Sequence, residues 1–127
     1  MIYLDSCLVI YAIEPNGAAS EAVITALAQT HDAVAVSPLV MMECMVGPIR
    51  AGDQGLRRTY EEFFEVLEII PLTAEIFRLA AELRGRTGLR TPDAIHLAAA
   101  RHAGCTALWT NDHRLAAVAG ELAVIIA

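Results

Sequence analysis

The sequence contains no lysine; all nine of its basic side chains other than histidine are arginine. That absence excludes two chemistries. A P-loop needs a lysine on the phosphates, and Schiff-base catalysis needs one as nucleophile. Cysteine is scarce as well: Cys7, Cys44 and Cys105 are odd in number, widely separated and flanked by apolar residues. No pair has metal-ligand spacing, so they read as buried thiols in a reducing compartment. Long hydrophobic runs are missing too. The longest, Cys7 to Ile13 and Leu122 to Ala127, fall well short of the roughly 18–20 residues that cross a bilayer. The opening MIYLDS carries a carboxylate at position 5 and no basic lead-in, unlike a secretory signal. Together these absences predict a cytoplasmic protein with no membrane partner.

What is present is a large apolar fraction, 56%, against roughly 45–50% in an ordinary soluble domain. A chain of 127 residues with that composition is expected to fold as one domain, 1–127, around one core. The formal charge of −6 argues against broad attraction to nucleic acid, unless cations neutralise some of the fifteen acids.

Short apolar runs alternate with helical patterns along the chain. Met1–Leu4, Ala33–Val36, Leu67–Leu72, Thr106–Trp109 and Leu122–Ile126 read as about five buried strands. Ser37-Pro38 and Thr91-Pro92 each read as a helix cap followed by proline in the first turn. Gly47-Pro48 reads as a break between helices. The alternation predicts an α/β fold with a mostly parallel sheet covered on both faces. In such sheets ligands bind beyond the carboxyl ends of the strands. Asp5 ends the first strand and Asp112 lies just past the fourth, so neighbouring strands would bring both carboxylates to one edge.

Four acids stand out by context: Asp5 in IYLDSCLVIY, Glu43 in VMMECMV, Asp93 in TPDAIHLAAA and Asp112 in LWTNDHRLAA. The three aspartates sit where helix caps are expected, and capping alone would account for any one of them. Glu43 has no such account. It falls inside its helix among apolar residues, where an unpaired carboxylate costs several kcal/mol. It therefore needs a partner, a proton or a polar cavity. A cluster of carboxylates repels itself until a cation joins it, and oxygen-only donors favour Mg2+ or Mn2+. The chemistry implied is hydrolysis of a phosphate ester.

These segments, with GLRTPDAIHLAAARHAGCTALWTNDHRL the most specific, resemble the PIN-domain family and in particular the VapC-type toxins of bacterial toxin–antitoxin pairs. The resemblance covers essentially the whole chain. It implies a three-layer α/β/α domain and a Mg2+- or Mn2+-dependent endoribonuclease acting on RNA. It further implies a homodimer held inactive by a VapB-type antitoxin. The family's carboxylates fall on Asp5, Glu43, Asp93 and Asp112 as metal and catalytic residues, with Ser6, Thr110 and Asn111 in supporting positions. Many relatives have asparagine where this chain has Cys7, which puts any hydrogen-bonding role at that position in question.

RNA has to be held by an acidic protein, and Arg84, Arg86 and Arg90 form the densest positive stretch, with Arg50, Arg57 and Arg58 a second one. A solvated helix face accounts for either equally well. His96, one turn after Asp93, reads first as a packed residue with one satisfied nitrogen. The stripe Leu56, Tyr60, Phe63 and Phe64 reads as core. The alternative to a nuclease is a non-catalytic PIN-like module that binds protein or RNA. An aspartyl phosphohydrolase is disfavoured, because D-x-D and the lysine of that chemistry are both missing.

Overall fold

Ile2, Tyr3 and Leu4 are all buried, as expected of an apolar strand with helices on both of its faces. They form β1 (Ile2–Leu4) in a computed structural model that describes residues 1–126; Ala127, the end of the expected domain, lies outside them. The chain continues through α1 (Ser6–Ile13), α2 (Gly17–Gln29), β2 (Val34–Val36), α3 (Pro38–Ala51) and α4 (Gln54–Glu65). Then come β3 (Glu68–Ile69), α5 (Ala74–Thr87), α6 (Thr91–His102), β4 (Ala107–Thr110) and α7 (His113–Ala119). A 3-10 turn at Gly120–Leu122 leads into β5 (Ala123–Ile125).

All the strand pairings are parallel, in the order β3-β2-β1-β4-β5. Parallel neighbours need crossovers, and right-handed ones place α1 to α4 on one face and α5 to α7 on the other. The packing agrees: α1 lies on α2 and α3, α3 on α4, α5 on α6, and α6 on α7. The expected three-layer α/β/α fold is therefore the one observed. Leu8, Val9, Val40, Ile76, Leu97 and Leu108 fill the two interlayer spaces. Among the described residues, no helix is long and apolar enough to cross a membrane.

Three local expectations are corrected. The break expected at Gly47-Pro48 falls later: α3 runs through Pro48 and stops at Gly52, whose φ of 66° is left-handed. Pro48 is buried, so its ring packs the interior where its missing N–H breaks one rung. The strand expected over Leu67–Leu72 shrinks to two exposed residues at the sheet edge, cut short by Pro71, which has no N–H to donate. Arg90, not Thr91, is the cap residue of α6, and it makes no side-chain cap bond.

Gly88 closes α5 at φ 74°, and a Cβ built there would meet nothing within 4 Å. The cost of a side chain is then conformational alone. Gly88→Ala is expected to lower stability by about 1 kcal/mol in urea unfolding. An unchanged midpoint would mean that the turn into α6 relaxes freely.

Candidate functional site

From β1 the chain moves to β2 and β3 on one side, then returns to place β4 and β5 on the other. The reversal makes the carboxyl ends of β1 and β4 the switch point, where open parallel sheets form their binding crevice. Asp5 directly follows β1, and Thr110, Asn111 and Asp112 sit at and beyond the end of β4. The Asp5 N–H donates to the Trp109 carbonyl at 3.0 Å and ties the two ends together.

Asp5 is almost fully buried, and both its oxygens are held. Oδ1 accepts from the Ser6 N–H at 2.8 Å and Oδ2 from the Thr110 hydroxyl at 2.7 Å. Thr110 Oγ1 in turn accepts the Asp112 N–H at 3.0 Å. Thr110 thus meets Asp5 through its hydroxyl, whereas Ser6 does so through its backbone. Asp112 Oδ1 caps α7 by accepting the N–H groups of Arg114 and Leu115, and Oδ2 lies 3.8 Å from Arg90. Asp5 and Asp112 are thus true helix caps as well as neighbours at one edge.

Asp93 differs from both. It is the third residue of α6, 7% exposed, and its Oδ2 is buried with no hydrogen-bond partner. Arg90 Nε attracts that oxygen from 3.5 Å without bonding to it. Burial pushes the Asp93 carboxyl above its ordinary value; the Asp112 charge adds to the rise and Arg90 opposes it.

Glu43 reaches from α3 to α6, in the opposite helical layer, and its Oε1 lies 2.7 Å from His96 Nε2. The apolar residues around it are not all core: Met42 and Val46 are exposed, and so is Ile49 further along α3. Apolar character does not by itself decide burial. His96, only 1% exposed, is bonded at both ring nitrogens, where one was expected. Nδ1 is 2.7 Å from the Tyr3 hydroxyl, and Tyr3 is 2.8 Å from Ser37 Oγ. Neither Tyr3 nor Ser37 was singled out from sequence. The signal was there, since a phenol in a fully buried strand has to find a polar partner. Ser37, read as a helix cap, makes no side-chain cap bond because its hydroxyl is turned to Tyr3.

Cys7, the departure from the family pattern, donates from Sγ to Asn111 Oδ1 at 2.8 Å. Asn111 Nδ2 donates onward to the Tyr11 hydroxyl at 3.2 Å. The thiol thereby links α1 to the loop that carries Asp112. Among the arginines, Arg84 braces the turn before α6 by donating to the Leu89 carbonyl at 2.9 Å, and Arg86 forms an exposed pair with Glu82. Arg90 stands between Asp93 and Asp112.

Among the described residues, no group of three or more His, Cys, Asp or Glu side chains forms a ready-made cation cage. The donor chemistry nevertheless suits a hard cation. The donors are carboxylate oxygens, one of them buried without a partner, and a guanidinium is already drawn toward two of the acids.

A family model described as PIN domain matches residues 2–121. Ribonuclease VapC47 of Mycobacterium tuberculosis (strain CDC 1551 / Oshkosh) is 34% identical over 131 residues, covering 100% of this chain and 96% of that protein. Two solved structures share the fold. A toxin–antitoxin complex from Klebsiella pneumoniae superposes with a TM-score of 0.84 at 22% identity, over 100% of this chain and 98% of that one. Mycobacterium tuberculosis VapC20, titled a Sarcin-Ricin loop cleaving toxin, gives 0.80 at 18% identity, over 92% and 94%.

Two outcomes are expected from the electrostatics. The raised Asp93 carboxyl favours the folded state in its protonated form, a contribution present at low pH and lost as pH rises through its folded value. Near neutral pH, in metal-free protein, Asp93→Asn should therefore raise the melting midpoint by a few degrees. The gain should vanish below the ordinary carboxyl value of 3.8. A lower midpoint near neutrality would contradict the unpartnered oxygen. Burial, with the Asp5 charge behind it, pushes the Cys7 thiol to about 12, and burial pushes Cys44 to about 12 as well. Iodoacetamide should accordingly leave both unmodified in folded protein near pH 8 and alkylate them only in denaturant, as read by mass spectrometry.

Proposed function

The chain belongs to the PIN-domain family, and from that premise we propose that it is a Mg2+- or Mn2+-dependent endoribonuclease of the VapC type. Its substrate is RNA, and Asp5, Glu43, Asp93 and Asp112 form its site. The observation that carries the reading is the buried Asp93 Oδ2, an acceptor without a donor at a crevice that also holds Asp5 and Asp112. A cation bound there would neutralise charge developing on a phosphate and make water more acidic. Full-length identity of 34% to a protein named as a ribonuclease supports the reaction class.

The chain's own residues divide the remaining work. Thr110 and the Ser6 N–H fix both oxygens of Asp5, and the first turn of α7 fixes one oxygen of Asp112. Each group is held before substrate arrives, so little reorganisation is left for the reaction. Arg90, with an exposed side chain, is placed to release the acids to a cation and turn to a phosphate. Arg84 and Arg86 lie close by in sequence, at the end of α5. Contacts of this kind would position RNA without reading its sequence.

The toxin–antitoxin complex among the similar structures supports a VapB-type antitoxin as partner, and we propose a homodimer as the working state. Exposed Met42, Val46 and Ile49 on α3 offer apolar surface for such contacts. The proposed cellular RNA substrate is in keeping with a cytoplasmic location, which we propose as well.

The test uses purified protein freed of antitoxin, total cellular RNA, and Mn2+, Mg2+ or EDTA. Cleavage should require the metal and fall by about 100-fold or more in Asp5→Asn. A folded protein that binds no Mn2+ and cuts no RNA would overturn the reading in favour of a non-catalytic binding module.

A further inference from the structure

We propose that His96 is a positioning residue for Glu43, oriented by Tyr3 and Ser37 so that its Nε2–H holds one carboxylate oxygen and leaves the other free. The inference deepens the ribonuclease reading and rests on it for its kinetic arm only.

Four side chains from four elements or their ends form one continuous hydrogen-bonded line. Ser37 Oγ lies 2.8 Å from the Tyr3 hydroxyl, Tyr3 2.7 Å from His96 Nδ1, and His96 Nε2 2.7 Å from Glu43 Oε1. Ser37 and Tyr3 are fully buried and His96 nearly so, out of reach of bulk water. Every proton in the line needs an acceptor within it.

That requirement fixes the direction. A carboxylate accepts only, so Nε2 carries a proton and donates to Glu43. Two arrangements remain for the rest. If Nδ1 also donated, it would give to Tyr3 and Tyr3 would give to Ser37. The Ser37 proton, fully buried, would then have no acceptor, because Tyr3 is its hydrogen-bond partner among the described residues. If Ser37 gives to Tyr3 and Tyr3 gives to Nδ1, every donor is used once. Burial pushes the Tyr3 phenol well above its usual range, so it keeps the proton it donates. The imidazole is accordingly a one-proton ring with the proton on Nε2.

The same Nε2 lies 3.9 Å from Asp5 Oδ1, within reach of two carboxylates that belong to different layers of the fold. One N–H thus sets where the α3 acid stands relative to the acid at the end of β1. Glu43 Oε2 keeps no protein hydrogen bond among the described residues and is free for a cation or a water.

The test combines a spectrum with a pair of substitutions. Long-range 1H–15N correlation on metal-free protein reads the His96 tautomer without any reaction. His96→Gln keeps a donor near the Nε2 position, whereas His96→Asn keeps only a group near Nδ1. Wild-type His96 should show a proton on Nε2 and a bare Nδ1. His96→Asn should lower kcat or Mn2+ affinity by about 10- to 100-fold with an unchanged KM for RNA. His96→Gln should recover most of that loss, circular dichroism serving as the folding control for both. A proton on Nδ1 in the wild type would overturn the proposal, as would equal losses in two folded variants. A wild type that cuts no RNA would sink the ribonuclease reading instead, leaving the tautomer and the Mn2+ affinities to decide this one.

Discussion

The hydrogen bond from the Asp5 N–H to the Trp109 carbonyl continues the β1–β4 ladder one step beyond the paired residues Leu4 and Trp109. It keeps the two strands in register just where the chain stops being sheet and starts being site. Because side chains alternate along a strand, slipping the pair by one residue would turn Thr110 away from Asp5 and bury the wrong face of Tyr3. The contact between Thr110 and Asp5, the start of α7 and the ring of His96 all inherit their placement from this one pairing.

Around it the protein has to hold several carboxylates at fixed places in one crevice. It does so with specific donors instead of bulk water. Asp5 is held at both oxygens by a hydroxyl and a backbone N–H, Asp112 at one oxygen by the open end of α7, and Glu43 at one oxygen by an imidazole. Among the described residues, Asp93 alone keeps a fully buried side-chain oxygen that nothing bonds, and it is the acid whose proton affinity burial raises. A buried acceptor without a donor gives the site a defined point of unfilled demand. Arg90 meets that demand at a distance, which suits a group that has to give way.

Much of this was legible in the sequence, and for identifiable reasons. The buried strands announced themselves as continuous apolar runs. Glu43 stood out because it interrupts a pattern that has no use for a charge, and the three aspartates because they fall where strands end and helices start. Less visible was everything that depends on contacts remote in sequence. Glu43 and His96 are 53 residues apart, and Tyr3 and His96 are 93 apart. No local rule links them, so the partner that Glu43 needs goes unread. Ser37 shows the same limit from the other side. Its sequence setting says helix cap, and a tertiary bond to Tyr3 overrides the local preference. Pro48 was misread because a break signal was weighed without knowing that the ring packs inside. The exposed face of α3 was missed because apolar composition was taken for burial.

The distance between β1 and β4 along the chain has a consequence for how the protein comes into being. β1 emerges first from the ribosome and its neighbour β4 more than a hundred residues later, with β2 and β3 already available on its other side. A nascent chain can therefore fold one flank of the sheet while the other is unmade. Until residue 112 has been synthesised, Asp5 has neither the Thr110 hydroxyl nor Asp112 beside it. A nascent chain shorter than 112 residues lacks the assembled crevice, so whatever this site does begins only once β4 has joined β1.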